Sequence, residues 1–318
     1  MNTVASRVLL GVLLESGKPI TRTRLMKLLF LVGQNIRGKL YYDFLPYKFG
    51  PYSFNVDWDL RRLLAASIVA PDATVAGTRE RFRIPDQKRT KADEAYRQLA
   101  LASRRIVRHV VGFYESWSDP KLVDHVYERY PEYTVLSERT SDHPERPKGE
   151  TRIYTLGYEG SSVDGFLATL IRRGIERVID VRNNPLSRRY GFSSKSLSSL
   201  CSRICVAYAH FPQLGIPPER RRGLGSWSSY ERLLDEYERV TLRDALDGIK
   251  QVAALMSEKP SVLVCFEAKH ACCHRSRLAA RLSELTGLPE CHLGVLRVRE
   301  DESAHCSEDT APAVREIP

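Results

Sequence analysis

Hydrophobic residues recur at helical spacing near the start of the chain. The segments SRVLLGVLLES and TRTRLMKLLFLVGQNI each carry an apolar stripe with a period close to that of an α-helix, which predicts two amphipathic helices. Thr21 is a candidate N-cap for the second helix, and SGKP predicts the turn between them.

The segments that follow change their period several times. An aromatic segment comes first, YYDFLPYKFGPYS, which is interrupted by Gly50 and Pro51. Helical spacing returns in NVDWDLRRLLAASIV. A β-hairpin that turns at Gly77 is predicted in VAPDATVAGTRERFRIP. A long basic helix is predicted from about Lys91. Helices joined by a turn, a further helix and a basic hairpin follow the order of a winged-helix module. The alternative is an all-α packing domain in which the hairpin is only a connector.

Beyond residue 150 the pattern becomes a regular alternation of strands and helices. The predicted strands are RIYTLGY, IERVIDVR, ICVAYAHF, SVLVCFEA and CHLGVL, with helical segments between them. The strands are apolar on both faces, which indicates a mostly parallel sheet covered by helices on both sides, that is, a doubly wound α/β fold. In such sheets ligands bind beyond the carboxyl ends of the strands.

Two stretches without apolar periodicity divide the chain. Residues 137–150 (SERTSDHPERPKGE) are polar and contain prolines, as linkers do. Residues 299–318 are acidic and predict a disordered tail. We therefore expect a mainly α, winged-helix-like domain at 1–136, a linker at 137–150, an α/β domain at 151–298 and a tail at 299–318.

The charge of the chain favours a polyanionic partner. The 318 residues carry a formal charge of +10, with a sequence pI near 9.3, and both predicted domains are basic once the acidic tail is set aside. Basic domains bind DNA or RNA through the phosphates. The alternative is a basic soluble protein without such a partner, and the sequence does not indicate an oligomeric state.

The expected compartment is the cytoplasm. No apolar run approaches the roughly 20 residues that span a bilayer. The short apolar run near residue 10 is followed by Glu15 and Lys18 without a cleavage site, so we expect no signal peptide. The seven cysteines all lie after residue 200, unlike the cysteines of a secreted disulfide framework.

Polar residues cluster where the predicted α/β strands end. Because the carboxyl ends of parallel strands share one edge of a sheet, we expect these side chains to converge. The predicted catalytic residues are Glu159, Asp180 and Glu267. The side chains predicted to bind substrate or phosphate are Tyr158, Arg182, Asn183, Gln213, His274 and Arg275, the last two at a helix N-terminus. Ordinary polar loops, without a site, are the alternative.

The segment SVLVCFEAKHACCHRSRLA offers zinc-ligand residue types in Cys265, Cys272, Cys273 and His274. Vicinal cysteines seldom reach one tetrahedral ion and there is no CxxC pair, so we expect no zinc site and no bound cofactor, with Mg²⁺ left open for hydrolysis. Neither Cys265 nor Cys273 has an arginine at the C-x5-R spacing of a thiol phosphatase.

Glu267 is therefore the favoured chemical group of this segment. It leaves an apolar strand, so burial is expected to raise its pKa and suit it to acid/base catalysis. A buried salt bridge with Arg182 or Arg275 is the alternative.

A basic loop with aromatic residues follows the third predicted strand of the α/β domain. Arg220, Arg221 and Arg222 precede two glycines, and Trp227 comes shortly after them. Cations and aromatic rings on a flexible loop suit a phosphate backbone with a stacked base. A solvated flexible loop is the alternative.

Two resemblances accompany these patterns. The motifs YTLGYEG, IDVRNNPLSRRYGFS, FPQLGIP and CFEAKHACCHRSRLA, within residues 152–285, resemble the domain-of-unknown-function family 488, which implies an α/β fold and a site at these motifs but no particular reaction. The motifs LMKLLFLV, PYKFGPYS and VYERYPEY, within residues 5–140, resemble the Panacea (SocA-like, antitoxin-associated) family and its YwgA-like relatives, which implies an interaction or nucleic-acid-associated domain.

Two functions fit these patterns. The first is a nucleic-acid-processing enzyme, a hydrolase or a base- or sugar-bond-cleaving enzyme, in a setting such as DNA damage handling or phage defence. The second is a non-enzymatic, antitoxin-like regulator that senses a nucleotide or modified base and binds a protein partner through the N-terminal domain. Clustered acids favour the first, and the Panacea resemblance favours the second.

Overall fold

A computed structural model of the chain describes residues 3–36, 41–72, 80–139, 142–221 and 227–295. The chain divides into two compact units, Met1–Arg146 and Pro147–Pro318. No helix within the described ranges is long and apolar enough to cross a bilayer. The predicted turn at Gly77, Arg222 of the basic loop and the predicted tail lie outside the described residues.

The first unit is mainly helical. Its helices are α1 (Val4–Ser16), α2 (Arg22–Asn35), α3 (Phe54–Ala65), α4 (Asp86–Arg97), α5 (Leu101–Phe113) and α6 (Asp119–Arg129). Its short strands are β1 (Ile20–Thr21), β2 (Leu45–Tyr47), β3 (Gly50–Tyr52), β4 (Ala70–Pro71) and β5 (Arg81–Arg83). Strand β2 pairs with β3, and β1, β5 and β4 form an antiparallel sheet in that order.

The two helices predicted near the start of the chain are confirmed. Thr21 caps α2, since its hydroxyl accepts a hydrogen bond from the backbone N–H of Arg24 at 3.1 Å. The basic helix predicted from Lys91 begins earlier, at Asp86, and is divided into α4 and α5. The chain turns between them at Leu99, whose buried side chain belongs to the core of this unit.

Lys27 places a cation inside the first unit. Its side chain is almost completely buried on α2, and its ammonium donates to the carbonyl oxygens of Phe49 and Pro51, the latter at 3.1 Å. These carbonyls belong to the turn and strand that follow β2, so Lys27 ties that hairpin to α2. Burial lowers the pKa of Lys27 to about 7.

The stability of the first unit is therefore expected to rise with pH. In the unfolded chain the pKa of a lysine is about 10.4. Between about pH 7 and pH 10 the unfolded state therefore binds more protons than the folded state. The free energy of unfolding should increase by up to about 1.4 kcal/mol per pH unit over this window. Lys27→Met should flatten the slope, because methionine has no proton to release.

Urea unfolding followed by tryptophan fluorescence measures this slope. A Trp227→Phe background leaves Trp58 and Trp117, both in the first unit, as the tryptophans of the chain. Equal slopes in this background protein and in the same protein carrying Lys27→Met would contradict the prediction.

The second unit is an α/β sandwich of helices around one sheet. Its strands are β6 (Ile153–Gly157), β7 (Arg177–Asp180), β8 (Ala207–His210), β9 (Ser261–Cys265) and β10 (Glu290–Leu293). Its helices are α7 (Val163–Arg172), α8 (Ser194–Arg203), α9 (Trp227–Glu236), α10 (Leu246–Glu258) and α11 (His274–Thr286), with a π-helical segment (Tyr237–Leu242) after α9.

The sheet of the second unit is parallel throughout its described pairings. Its strand order is β10-β6-β9-β7-β8. Every residue of β6, β7 and β9 is buried, which requires helices on both faces. On one face, Ile153 and Leu263 share a core with Val252 of α10 and Leu278 of α11. The predicted α/β fold class, with a mainly helical N-terminal region, is confirmed.

Candidate functional site

The three central strands of the second unit end at one edge of the sheet. Gly157 at the end of β6 pairs with Cys265 at the end of β9, and Asp180 at the end of β7 pairs with Val264 of β9. The segments that leave these strands therefore lie side by side, where parallel α/β sheets place ligands.

Two glycines allow these segments to approach one another closely. A Cβ atom on Gly157 would overlap the carbonyl oxygen of Glu267, and one on Gly215 would overlap the backbone nitrogen of Asn183. In each case the neighbour is backbone, which cannot rotate away as a side chain can. The sequences YTLGYEG and FPQLGIP thus need glycine where the loops of the site meet.

Asp180 and Arg182 form a buried ion pair at this edge. Asp180 is completely buried and Arg182 is 4% exposed. Nε and Nη2 of Arg182 donate to Oδ1 and Oδ2 of Asp180 at 2.8 and 2.5 Å, and the Tyr208 hydroxyl donates to Oδ2 at 2.7 Å. Nη1 of Arg182 donates to the Tyr158 hydroxyl at 2.7 Å and to the carbonyl of Phe192 at 2.8 Å.

This network gives Asp180 a structural position. Burial lowers the pKa of Arg182, but the hydrogen bonds and charge of Asp180 outweigh burial and raise it above its usual value. Both oxygens of Asp180 accept hydrogen bonds, and the residue does not line the neighbouring cavity. The geometry makes Asp180 the counterion that holds Arg182, and its catalytic role stays a prediction.

A cavity of about 430 Å³ opens beside this pair. It is lined by Tyr158, Arg182, Asn183, Asn184, Leu186, Ser187, Arg188, Arg189, Ile216, Pro218, Arg221 and Phe266. Within the described part of the chain, four of these lining residues are arginines and none is acidic, so the cavity is electropositive. Phe266 and Leu186 add apolar surface and are 39% and 79% exposed.

The outer arginines of the cavity differ in their partners. Nη1 of Arg189 donates to the carbonyl of Ser161 at 2.9 Å, and Nη1 of Arg221 lies 3.8 Å from Oε1 of Glu267. Arg188 is exposed and makes no hydrogen bond or ion pair with another described residue. Arg188 and, in part, Arg189 can therefore bind an incoming anion without breaking an internal ion pair.

Glu267 lies next to the cavity, with its carboxylate between an arginine and two thiols. The thiols of Cys265 and Cys273 donate to Oε2 at 3.1 and 2.9 Å, while Oε1 faces Arg221. The side chain is 25% exposed. Glu267 is therefore partly exposed, with Oε2 hydrogen-bonded to the two thiols and Oε1 facing Arg221.

The expected direction of the Glu267 pKa shift is wrong. Burial does act to raise it, but hydrogen bonds from the thiols of Cys273 and Cys265 and the nearby His274 outweigh burial, so the pKa lies below its usual value. At neutral pH Glu267 is a carboxylate, suited to the role of base or ligand.

The arginine that faces the Glu267 carboxylate is Arg221, and not Arg182 or Arg275, the two partners considered from the sequence. Arg182 is paired with Asp180. The guanidinium of Arg275 donates to the carbonyl oxygens of Glu267 and Ala268, the latter at 2.9 Å. Arg275 is 1% exposed, so in this structure it holds the loop after β9, and its contact with a phosphate stays a prediction.

Cys265, Cys273 and His274 form a buried cluster behind Glu267. Their ligand atoms lie within 4.8 Å of one another, and Nδ1 of His274 is 3.7 and 3.8 Å from the sulfurs of Cys265 and Cys273. Nε2 of His274 is 3.0 Å from the carbonyl oxygen of Val181. Because a carbonyl can only accept, Nε2 carries a proton, and Nδ1 faces the two sulfurs, whose own protons are donated to Oε2 of Glu267. His274 is 2% exposed and does not line the cavity, and its contact with a substrate phosphate stays a prediction.

The pairing of cysteines differs from the one that the sequence suggests. Cys273 at the start of α11 turns inward to meet Cys265, and burial raises its pKa well above the usual value. Cys272 lies in the preceding 3₁₀ turn and is half-exposed. The objection to zinc concerned the vicinal pair Cys272 and Cys273, and it does not apply to Cys265 and Cys273.

Several predicted site residues, among them the predicted catalytic Glu159, do not line the cavity. Glu159 is exposed and accepts a hydrogen bond from the backbone N–H of Ala268 at 3.1 Å. Gln213 is exposed and lies against Gly248 of α10. Arg220 is 3.8 Å from Glu236, and Trp227, at the start of α9, is 52% exposed. Arg222 is outside the described residues.

The structure also adds residues that the sequence interpretation missed. Arg188 and Arg189 line the cavity, as does Phe266. The signal for the arginines was present in IDVRNNPLSRRYGFS, where two adjacent cations follow a strand end. No spacing rule could have indicated Phe266, because a phenylalanine after an apolar strand ordinarily continues the core.

The comparison with known families identifies part of this unit. Residues 162–282 match the family model described as Domain of unknown function DUF488. The matched range contains Asp180, Arg182 and the whole CFEAKHACCHRSRLA segment, so it includes the residues that line the cavity except Tyr158. No curated protein matches the chain.

Proposed function

We propose that the protein is a nucleic-acid-processing hydrolase whose site is the cavity at the sheet edge of the second unit. The observation that carries this proposal is an electropositive cavity with exposed aromatic surface, placed next to the carboxylate of Glu267. The substrate is DNA or RNA, in the cytoplasm, in a setting such as DNA damage handling or phage defence.

The lining of the cavity supports a nucleotide as the bound group. A volume of about 430 Å³ falls within the range of about 300–1,000 Å³ that small-molecule sites occupy. Arg188 and Arg189 are placed to bind phosphate oxygens, and Phe266 offers an exposed ring on which a base can stack. The amides of Asn183 and Asn184 add the donors and acceptors that hydrogen bonds to a base require.

Glu267 is the proposed chemical group. As a carboxylate beside Arg221 it would accept a proton from water or stabilise positive charge on a sugar whose bond to a base breaks. Glu159, which caps the same turn, is the second candidate. Asp180 is not carried forward, because both of its oxygens are engaged.

The order of elements in the first unit supports nucleic-acid binding there as well. Helix α1, strand β1, helices α2 and α3 and the β4–β5 pair follow the order of a winged-helix module, with β1 pairing to β5. Helix α3 exposes Trp58, which is 41% exposed, together with Arg61 and Arg62. The Panacea and YwgA-like resemblance, and a protein partner bound through this unit, stay predictions.

A non-enzymatic regulator is the second candidate, favoured by that same winged-helix order. In this alternative the cavity senses a nucleotide or a modified base and the first unit binds DNA. Both candidates require a nucleotide or a base to bind at the cavity, and only the first requires turnover.

Binding is tested by fluorescence anisotropy with a labelled single-stranded oligonucleotide over a range of salt concentrations. The double variant Arg188→Glu, Arg189→Glu should weaken binding by about tenfold or more. It should also reduce the slope of log affinity against log salt by about 0.7 for each phosphate that the protein no longer neutralises. The matched control is Arg281→Glu, an exposed arginine on α11 that does not line the cavity. Equally weakened binding in the two variants would argue against the cavity as the binding site.

A further inference from the structure

We propose that Cys265, Cys273 and His274 bind one zinc ion, with the carboxylate of Glu267 at its fourth position. Three ligand atoms lie within 4.8 Å of one another there, two sulfurs and one imidazole nitrogen, and Oε2 of Glu267 lies 3.1 and 2.9 Å from the two sulfurs. Glu267 is shared with the proposed function, but the metal content of the protein is measured without nucleic acid and does not depend on turnover.

The spacing of the ligand atoms fits a tetrahedral ion. With zinc–sulfur distances of about 2.3 Å and zinc–nitrogen distances of about 2.0 Å, neighbouring ligand atoms of a tetrahedron lie about 3.5 Å apart. Nδ1 of His274 is 3.7 and 3.8 Å from the two sulfurs, and Oε2 of Glu267 is 3.1 and 2.9 Å from them. Glu267 lies outside the group of three whose ligand atoms are within 4.8 Å of one another, so its partly exposed side chain would have to move toward the imidazole to complete the tetrahedron.

The imidazole is already oriented as a metal ligand. Its Nε2–H donates to the carbonyl oxygen of Val181 at 3.0 Å, which directs Nδ1 at the two sulfurs of the cluster. Zinc-bound histidines ordinarily donate their other ring N–H to a carbonyl or carboxylate in this way, and this partner fixes the tautomer.

The composition and burial of the site select the kind of metal. Cys265, Cys273 and His274 are each at most 2% exposed, so the sulfurs are shielded from solvent. Thiolate and imidazole ligands suit zinc and similar borderline or soft ions, whereas Mg²⁺ prefers oxygen ligands and retains its waters. A shielded set of two thiols, an imidazole and a carboxylate is therefore a zinc site by its chemistry.

The position of the fourth ligand links this ion to the cavity. Oε1 of Glu267 faces Arg221, a cavity-lining residue, at 3.8 Å, whereas the other three ligands lie behind it in the core. The ion would thus hold the carboxyl end of β9 to the start of α11, directly behind the cavity wall.

The test is the metal content of the full-length protein, purified under reducing conditions without a polyhistidine tag and dialysed against a chelating resin. Elemental analysis should find roughly one zinc per chain. Cys265→Ser and Cys273→Ser should each reduce this several-fold, and Cys272→Ser should leave it unchanged. Cys272 is the matched control because it is adjacent to Cys273 in sequence but lies outside the ligand cluster.

If the serine variants do not fold, cobalt substitution of the wild-type protein is a second test. The Co²⁺-loaded wild-type protein should show sulfur-to-cobalt charge-transfer absorption and the intense visible bands of a tetrahedral site. A folded, reduced wild-type protein that takes up neither zinc nor cobalt would overturn the proposal. An equal loss of zinc in Cys272→Ser and Cys273→Ser would also overturn it. A Cys265–Cys273 disulfide would overturn it as well, if the protein still bound no zinc once that disulfide had been reduced.

Discussion

Replacing Asp180 by asparagine is expected to lower the free energy of unfolding of the second unit by roughly 3–5 kcal/mol. The substitution keeps the volume of the side chain and removes its charge. Arg182, which is 4% exposed, would then be left as a buried cation facing an amide that can accept only at one atom. Breaking a buried pair from one side costs far more than the pair contributes as a whole, because the remaining charge is uncompensated.

The measurement is native-state hydrogen exchange followed peptide by peptide, which reports the second unit without interference from the first. Peptides from β6, β7 and β9 should lose protection in Asp180→Asn. The matched control is Asp235→Asn, which breaks an exposed aspartate–arginine pair, since Asp235 lies 3.2 Å from Arg277 and both side chains are well exposed. That change should cost at most about 1 kcal/mol. Similar losses of protection in the two variants would show that Asp180 is not the counterion on which this edge depends.

Replacing Glu267 by glutamine is expected to reduce turnover of nucleic acid by about 100-fold or more. The amide keeps the shape of the side chain but cannot take up a proton at neutral pH. Because the proposed phosphate-binding residues are Arg188 and Arg189, which line the cavity, the affinity for single-stranded oligonucleotides should change little. The matched control is Glu219→Gln, the same substitution at an exposed glutamate in the loop that contains Arg221.

Zinc content is measured on the same Glu267→Gln samples. If zinc is retained while turnover falls, the loss belongs to the carboxylate itself. If both fall together, the loss belongs to the metal site, and Glu267 acts through the ion.

The fold of the second unit was predictable because its signals are local. Apolar runs such as SVLVC and the regular alternation with helical segments indicate parallel strands, and the rule that ligands lie beyond their carboxyl ends locates the edge where Tyr158, Arg182 and Glu267 lie. The basic helix predicted from Lys91 was less well placed, because the break at Leu99 is set by burial in a core that residues distant in sequence build.

The roles of individual side chains were less predictable, since they depend on contacts across the fold. Asp180 follows an apolar strand just as Glu267 does, yet Arg182 and Tyr208 enclose the first and two thiols meet the second. The direction of the Glu267 pKa shift could not be read from its position after a buried strand, because one of the donors that lower it comes from Cys273, beyond a 3₁₀ turn. Cys272 and Cys273 are adjacent in sequence, but Cys272 ends this turn and is half-exposed, whereas Cys273 is buried. The two thiols therefore do not act as a pair.

Product release from oligonucleotides shows whether the cavity beside Glu267 processes nucleic acid. Labelled single-stranded, damaged and base-modified DNA and RNA are incubated with the wild-type protein and with Glu267→Gln, and strand or base release is followed on denaturing gels and by mass spectrometry. We expect release by the wild-type protein and a loss of about 100-fold or more in Glu267→Gln, with binding retained. Equal release by both proteins, or no release from any oligonucleotide that the wild-type protein demonstrably binds, would contradict it.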